Sequence, residues 1–408
     1  MSPADRADLA DADVVHLSFN PPFAAGSYNS LIQALLHHDG PLRQLAVSFW
    51  DGPVPPSAEA DRTLLVGTAA QGPMASAALR LPERARRLAF EGMGSRERIR
   101  YAGEVAELLV AAPPPVVVIW DDYKLGPFLR RQGAVEPAFV LSQHGRSYHL
   151  PPERARALYR LDTLDAVITL TQASYRADRA ELYAYEPLVL VRPNGVDLRR
   201  FQPADDAARA GARARWALPE DGPVVLFLAR LAPSKGAHLL LHSWARVLDR
   251  APGAVLWLVG GGDEGYLARL RHLADRLGIA DHVRFQGPVD RDLVASCHAA
   301  ADVYVLPSVQ DEGHPLSLLE AMASGLACVA SDSPVVAELH GDAIELVVDP
   351  NVEDAFVEPL GRLLGDSTRR LELAGRARAQ VEAHHDLQDY LDEVTAFLGR
   401  LAASRGGR

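Results

Sequence analysis

Two glutamates, Glu312 and Glu320, flank the start of an apolar stretch that follows Leu306-Pro307-Ser308. The order of residues predicts a strand, a polar loop, and a helix that begins at Pro315 and ends at Gly325. The first N–H groups of a helix lack intrahelical partners and carry partial positive charge, so they suit anions such as a diphosphate. The segment therefore combines an anion site with two carboxylates.

The amides at this helix start come from His314, Leu316 and Ser317, because Pro315 has no N–H group. Two carboxylates one turn apart cannot both bind phosphate. They suit hydroxyl groups on either side of it, one set on a hexose and the other on a ribose. Glu320 taken alone could be a solvated helix residue, but the apolar sequence around it argues against that interpretation.

A second pair of charges, Arg230 and Lys235, follows the apolar run Val224–Leu228, with Pro233 in the turn between them. Ligands of doubly wound sheets bind at the carboxyl ends of strands. We therefore expect Arg230 and Lys235 to converge on one diphosphate, each charge-assisted contact contributing about 1.5–3 kcal/mol. The alternative is a solvated surface pair.

Strands and helices must position these side chains. Short β-branched runs alternate with longer amphipathic stretches along the chain, which is typical of parallel sheets covered by helices. A length of 408 residues favours two domains over one. The predicted strands are Val14–Phe19, Leu42–Phe49, Val116–Trp120, Ala138–Ser142, Ala166–Thr171, Leu188–Val191, Val224–Leu228, Ala254–Val259, His282–Gln286, Val303–Leu306, Ala327–Ala330 and Ile344–Val348.

The domain boundary is predicted at Arg192–Asp197, where Pro193 and Asn194-Gly195 stop regular structure. The first domain then spans 1–193 and the second 194–385. The apolar-periodic stretch Leu387–Leu401 predicts a helix that closes the fold, so residues 386–408 are assigned to the first domain.

Composition narrows the class of function. A net charge of −11 disfavours nucleic acid as a partner. Cys297 and Cys328 have no disulfide or zinc spacing and are expected to be buried. The polar N-terminus and the lack of about 18 consecutive apolar residues predict a cytoplasmic protein. Seven arginines within Arg80–Arg100 favour a solvated helix face over peripheral contact with anionic lipid.

The second half of the sequence resembles glycosyltransferase family 4, densely from Val191 to Asp349 and thinly over residues 1–190. The resemblance implies an α/β GT-B fold: two Rossmann-like domains facing each other across a cleft, with a C-terminal helix crossing back to the N-terminal domain. The motifs that carry it are Arg192-Pro193-Asn194-Gly195-Val196-Asp197, Arg230, Lys235-Gly236, Val259-Gly260, Gly262, Phe285, Gly287, Leu306-Pro307-Ser308 and the Glu312/Glu320 pair.

The resemblance also implies a role for each charged candidate. Glu312 would hold hydroxyls of the donor sugar, and Glu320 those of the ribose. Arg230 and Lys235 would stabilise the leaving diphosphate. His144, which follows a predicted strand, would contact the donor sugar. The first domain would bind the acceptor, and the second the nucleotide sugar.

Further donor contacts would come from glycine loops and the helix start. They are Gly26, Gly287, Val289, His314, Pro315, Leu316 and Ser317. Two departures from the family pattern concern these positions. Ala25 stands beside Gly26 where the family often has paired glycines, and Pro315 stands where a glycine would offer another amide.

The implied activity is retaining transfer of a hexose from a UDP- or GDP-sugar to a small-molecule, lipid or glycan acceptor, with no metal or other cofactor. Positive charge from Arg230 and Lys235 would replace a metal at the leaving group. The alternatives are a GT-B nucleotide-sugar epimerase and a catalytically silent nucleotide-sugar-binding subunit. The sequence does not distinguish UDP from GDP or identify the sugar, the acceptor or the oligomeric state.

Two other patterns carry less weight. Gly260-Gly261-Gly262-Asp263-Glu264-Gly265 is a literal G-x-G-x-x-G, but no acidic residue ends the next strand to bind a ribose. Asp11 and Asp13 form a D-x-D triplet that precedes any predicted strand. Neither the dinucleotide interpretation nor the metal interpretation is favoured.

Overall fold

A computed structural model describes residues 3–18, 29–49, 62–66, 96–122, 124–134, 136–144, 164–176, 187–309, 312–352 and 354–406. The chain forms two compact units. Unit 1 comprises Met1–Pro193 with Tyr390–Arg408, and unit 2 comprises Asn194–Asp389. The chain thus returns to unit 1 at Tyr390, whereas the sequence predicted the return at Asp386.

Unit 1 contains a parallel sheet with the strand order β3-β2-β1-β4-β5-β6-β7. Its central strands are buried along their whole length, which explains their continuous apolar sequences. The strands are β1 (Val14–Ser18), β2 (Gln44–Phe49), β3 (Thr63–Val66), β4 (Val116–Trp120), β5 (Ala138–Ser142), β6 (Ala166–Thr169) and β7 (Leu188–Val191).

The sequence did not predict β3. Among the described strands it pairs with β2 alone, and its length of four residues gives it a weak sequence signal. The helices of unit 1 include α1 (Pro3–Ala10), α2 (Asn29–Leu36), α3 (Arg96–Ala111) and α4 (Leu125–Arg131). Apolar residues of α3 and α4 join those of the central strands in one core.

Unit 2 contains a second parallel sheet with the order β10-β9-β8-β11-β12-β13. Its core unites the strands with surrounding helices. The strands are β8 (Val224–Leu228), β9 (Val255–Val259), β10 (Val283–Gly287), β11 (Val303–Leu306), β12 (Ala327–Ser331) and β13 (Glu345–Val347). The helices are α5 (Asp206–Arg215), α6 (Ala237–Leu248), α7 (Glu264–Arg276), α8 (Val294–Ala300), α9 (Leu316–Ala323), α10 (Pro334–His340), α11 (Val357–Gly365) and α12 (Ser367–His384).

In both sheets the strand order reverses beside the unit's first strand. The reversal lies between β1 and β4 in unit 1 and between β8 and β11 in unit 2. Loops leaving the carboxyl ends of such strand pairs diverge to opposite sides and leave a crevice, where doubly wound folds bind ligands. The two Rossmann-like sheets confirm the predicted fold class, and all twelve predicted strands are present.

The last helix, α13 (Leu387–Gly406), starts in unit 2 and continues into unit 1. Within unit 1, Arg405 forms an ion pair with Asp165 at 2.6 Å, and Glu393 lies 3.5 Å from Arg192. These contacts join the C-terminal part of α13 to Asp165, just before β6, and to Arg192, just after β7. The closing helix predicted from sequence is therefore present.

Candidate functional site

Lys235 and Glu312 meet at the β8/β11 reversal. Lys235 ends a short 3₁₀ turn, Pro233–Lys235, that follows β8, and Glu312 lies in the loop after β11. The Lys235 ammonium forms an ion pair with Glu312 Oε1, and Ser308 Oγ donates a hydrogen bond to the same oxygen. The lysine and glutamate side chains are only 23% and 18% exposed, so this is a partly buried pair rather than a solvated one.

Gly236 permits this meeting of two loops. Its φ is +71°, and a Cβ atom at this position would lie 1.7 Å from the carbonyl oxygen of Pro307. Only glycine tolerates both the left-handed backbone and that approach. The Val309 amide also donates to the Ser234 carbonyl at 2.9 Å, which joins the loop after β11 to the turn after β8.

The glycine run after β9 supports the Arg230 loop by close backbone packing. A Cβ atom at Gly260 would lie 1.9 Å from the Ala229 carbonyl oxygen, and one at Gly262 would lie 2.1 Å from that of Leu231. These contacts account for the glycines without a dinucleotide. Arg230 itself is exposed and forms no ion pair with any described residue, so it does not join the Lys235–Glu312 pair in this structure.

Helix α9 begins as the sequence predicts. Pro315 is its N-cap in an extended conformation (φ −67°, ψ 118°), with no side-chain cap. The hydroxyl of Ser317 accepts a hydrogen bond from the Tyr304 hydroxyl at 2.8 Å, so its side chain is held while its amide belongs to the first turn. Burial raises the pKa of Tyr304, which keeps this phenol a neutral donor.

Glu320 lies one turn inside α9 and is only 22% exposed. Its carboxylate approaches Nε2 of the buried His298 at 3.8 Å, and the charge of Glu320 opposes the burial-driven lowering of the Arg291 pKa. The solvated-helix interpretation of Glu320 is therefore wrong. Its carboxylate belongs to a semi-buried group distinct from the Lys235–Glu312 pair, and no contact joins the two glutamates among the described residues.

His314 is clamped at the loop that precedes α9. The Asn194 amide donates to His314 Nδ1 at 3.0 Å, and the Asn194 side-chain amide donates to the His314 carbonyl at 2.8 Å. His314 Nε2 lies 3.2 Å from Nε2 of His340. Burial lowers the pKa of His340 to about 3, so this histidine is neutral near pH 7.

Three buried histidines, His314, His340 and His385, have ring nitrogens within 4.8 Å of one another and so resemble a metal-ligand set. The hydrogen bonds argue against that role. Nδ1 of His314 accepts an N–H bond, so the neutral ring carries its proton on Nε2 and donates it to His340. A histidine ligand instead donates its second nitrogen to an acceptor. The bonding of His314 therefore suits a hydrogen-bonded His314–His340 pair better than a shared cation.

In unit 1, His144 lies just beyond β5 and is held by three contacts. Its ring stacks on Trp120 with centroids 4.9 Å apart and planes 13° apart. Ser142 Oγ lies 3.0 Å from His144 Nε2, and the His144 amide donates to Asp121 Oδ1 at 2.7 Å. Asp121 has a φ of +52°, a strained backbone for a non-glycine residue.

The remaining predicted residues are more scattered. Gly26 lies outside the described residues. Gly287 ends the edge strand β10 with φ +78°, and its carbonyl accepts the Gly260 amide at 2.8 Å. Val289 follows β10 and is half-buried. Asp11 forms an ion pair with Arg43 at 2.9 Å and Asp13 accepts the Arg43 amide at 2.8 Å, which gives the D-x-D triplet a structural role.

Sequence reasoning did not identify the contacts made by several residues of these sites: Ser308, Tyr304, Asn194, Trp120, Asp121 and Ser142. Ser308 and Asn194 stood within recognised motifs, but nothing in their type indicates which partner they bind. Trp120 and Asp121 carried a usable signal, because they end a buried strand next to the reversal of the strand order.

No helix within the described ranges is both long and apolar enough to cross a membrane. Structural neighbours include sucrose-phosphate synthase from Thermosynechococcus elongatus, with a TM-score of 0.75 at 21% identity, covering 96% of this chain and 99% of that one. Another is Anabaena Alr3699/HepE in complex with UDP and glucose, with a TM-score of 0.73 at 19% identity, covering 95% and 99%. At these identities the likeness establishes the fold.

Sequence relatives are closer. A GDP-mannose-dependent alpha-(1-6)-phosphatidylinositol monomannoside mannosyltransferase of Mycobacterium tuberculosis is 34% identical over 281 residues, 67% of this chain and 72% of the relative. A D-inositol 3-phosphate glycosyltransferase of Streptomyces bingchenggensis is 38% identical over 213 residues, 50% of this chain and 45% of the relative. The family profile described as glycosyl transferases group 1 matches residues 209–380. The chain therefore belongs to this family, glycosyltransferase family 4 with the GT-B fold, and is a glycosyltransferase.

Proposed function

We propose that this chain transfers a hexose from a nucleoside-diphosphate sugar to an acceptor hydroxyl with retention of anomeric configuration. The observation that supports this most is the Lys235–Glu312 pair, held at the strand-order reversal of unit 2 and next to the start of α9. A cation, a carboxylate and helix amides in one place match the diphosphate and hydroxyl groups of such a donor.

The hydrogen-bonding groups that Lys235 and Glu312 do not use on each other match those of a nucleotide sugar. An ammonium group has three N–H donors, and Glu312 accepts one from Lys235. The others remain for diphosphate oxygens. Oε1 of Glu312 accepts from both Lys235 and Ser308, so Oε2 is the oxygen left for sugar hydroxyls. In this assignment Glu312 positions both the sugar and the lysine that stabilises the leaving group.

The other predicted residues complete the proposal. The amides of Leu316 and Ser317 would bind diphosphate oxygens, Glu320 the ribose, and Arg230 the diphosphate once it turns toward the bound nucleotide. Gly287 and Val289 would contact the base. In the reaction the acceptor oxygen bonds to the anomeric carbon while the bond from that carbon to the phosphate oxygen breaks. The acceptor proton moves to the leaving phosphate oxygen, giving a glycoside and a nucleoside diphosphate.

Positive charge from Lys235 and Arg230 opposes the charge that develops on the leaving diphosphate, as electrostatic catalysis requires. We therefore propose transfer without a bound metal, and activity is expected to persist in EDTA. GDP-mannose is the first donor to test, because a relative that is 34% identical over 281 residues is named for it. UDP-glucose is the second, because Alr3699/HepE is described in complex with it.

The experiment incubates purified protein with either donor and a panel of acceptors that includes phosphatidylinositol monomannoside and inositol 3-phosphate, the groups in the relatives' names. Acceptor-dependent release of nucleoside diphosphate and an NMR-assigned product of retained configuration are expected. Donor converted to an isomer without acceptor would instead indicate an epimerase. Nucleotide binding without turnover on any acceptor would indicate a binding subunit.

His144→Ala tests the proposed contact of this ring with the sugar. We expect turnover to fall at least about tenfold, or roughly 1.4 kcal/mol, while nucleotide affinity is unchanged. His272→Ala, which removes an exposed histidine of α7, is the control. Near-normal turnover of His144→Ala on a confirmed donor and acceptor would remove this residue from the mechanism and leave the donor assignment intact.

A further inference from the structure

A buried chain of hydrogen bonds fixes the indole of Trp120. The indole Nε1–H donates to His16 Nδ1 at 3.2 Å, and His16 Nε2 lies 2.8 Å from Gln44 Oε1. The Gln44 side-chain amide in turn donates to the Leu35 carbonyl at 2.9 Å. Because His16 Nδ1 accepts the indole N–H, the neutral imidazole carries its proton on Nε2 and donates it to Gln44 Oε1.

This network cannot readily rearrange by taking up a proton. His16 is fully buried, and burial lowers its pKa to about 4 against the smaller opposing effect of Gln44. The ring therefore stays neutral near pH 7 and keeps its Nδ1 as the acceptor for the indole. Trp120 itself is only 3% exposed, so the surrounding packing also restricts it.

The face of the same indole carries His144. The stacked geometry, with planes 13° apart, covers one side of the imidazole, while Ser142 Oγ contacts its Nε2. The carboxylate of Asp121 holds the backbone amide of His144 at 2.7 Å. Backbone, ring face and ring edge are thus restrained separately, by residues at the carboxyl ends of β4 and β5.

The location gives these restraints a functional meaning. His16 lies on β1 and Trp120 ends β4, the two strands between which the order of the sheet reverses. Ligand crevices form at this point of a doubly wound sheet. A residue at such a point must be held closely, because small displacements of a reacting group cost much of the rate.

We infer that Trp120 is a positioning residue for His144 through its ring face, with Ser142 and Asp121 restraining the ring and backbone of His144, while the hydrogen bonds from the indole to His16 and from His16 to Gln44 stabilise its buried packing. This inference rests on the proposed contact of His144 with the sugar. It assigns different tasks to the two ends of Trp120: the N–H group stabilises the fold, and the ring face orders the imidazole.

The two ends can be separated by substitution. Trp120→Phe keeps an aromatic face but leaves the buried His16 Nδ1 without its donor, so we expect lower thermal stability with kcat within about threefold of wild type. Trp120→Leu removes the face as well, and we expect kcat to fall about tenfold with donor KM unchanged. Both variants are made in the wild-type and His144→Ala backgrounds.

Comparing the single variants with the double variant distinguishes positioning of His144 from general structural support. If Trp120 acts through His144, Trp120→Leu lowers kcat by less than about twofold further in the His144→Ala background, because coupled residues are not additive. A full additional tenfold loss there would overturn the inference. So would wild-type kcat in a folded Trp120→Leu protein while His144→Ala is impaired. No effect of His144→Ala alone would instead refute the proposed role of His144. Circular dichroism and thermal unfolding establish that each variant is folded.

Discussion

Glu312→Gln should change donor turnover and nucleotide affinity in opposite directions. The substitution keeps the shape of the side chain and one carbonyl oxygen but removes the charge paired with Lys235. If Glu312 holds the sugar, its loss affects the sugar and not the nucleotide. If Lys235 binds the diphosphate, removing its carboxylate partner leaves the lysine charge uncompensated and available to the phosphates.

The magnitudes follow from the geometry of the pair. Charged hydrogen bonds contribute about 1.5–3 kcal/mol each, so loss of one to the sugar should lower kcat/KM about 10- to 100-fold. A phosphate on the far side of the ammonium would lie roughly 5 Å from the carboxylate, where like charges repel by about 3 kcal/mol at an effective dielectric constant of 20. The pair is partly exposed, so screening reduces this to roughly 1 kcal/mol, about a fivefold gain in affinity for the plain nucleoside diphosphate.

Isothermal titration calorimetry with GDP and UDP measures the second effect, and steady-state kinetics with the matching nucleotide sugar measures the first. Glu358→Gln is the matched control, since Glu358 forms an ion pair with Arg250 at 2.6 Å but is 58% exposed. It should alter neither quantity. A parallel fall of nucleotide affinity and turnover in Glu312→Gln would refute the reasoning, because it would mean that the pair acts as a structural unit and not as separate sugar and phosphate contacts.

Three further results are expected. Gly236→Ala should destabilise the fold by several kcal/mol and abolish turnover, because the added Cβ would lie 1.7 Å from the Pro307 carbonyl oxygen. Gly375→Ala in α12 is the control, because a Cβ there meets open space, and it should raise the free energy of unfolding by up to about 1 kcal/mol. Denaturant titrations measure both changes. Asn194→Ala should raise the KM for the nucleotide sugar severalfold and lower the midpoint of unfolding, because the His314 carbonyl loses its hydrogen bond from the Asn194 side chain. An unchanged KM would show that this hydrogen bond has no part in binding the nucleotide sugar. Unfolding free energy should decrease as pH falls from about 6.5 to about 4, because the unfolded chain protonates His16 and His340 there while burial keeps both neutral in the folded protein, each contributing up to about 1.4 kcal/mol per pH unit; a flat profile would contradict that burial.

The sequence predicted strands well where burial on both faces of the sheet requires a continuous apolar run, as in β4 and β8. It failed at β3, a short edge strand whose pairing depends on β2 alone. It also placed Lys235 and Glu312 correctly at the ends of strands that prove to be neighbours, because the carboxyl ends of parallel strands share one edge of a sheet. What it lacked was the contact itself, which depends on the Gly236 turn approaching Pro307.

The contacts of the aromatic and histidine rings could not be predicted from the sequence, because they too depend on partners distant along the chain. His314 was expected to offer an amide to a ligand, yet its ring accepts the Asn194 amide, a partner 120 residues away. Nothing in residue type or spacing fixes a tautomer; that requires knowing which donors surround each nitrogen. Trp120 ends β4 and His144 lies two residues beyond the end of β5, so only the pairing of β4 with β5 brings their rings face to face.

The two reversal points carry different chemistry, and this difference supports a division of labour. In unit 2 the group is ionic, with Lys235 paired to Glu312 and Arg230 exposed nearby in sequence. In unit 1 Trp120 is uncharged, burial keeps His16 unprotonated, and the side chain of Asp121 accepts the backbone amide of His144. In the proposed reaction, the charge that develops on the leaving diphosphate is opposed by the ionic group of unit 2. The face of Trp120 can order an imidazole without a fixed positive charge that would compete for the phosphates, so we expect activity to depend on charge in unit 2 and on shape in unit 1.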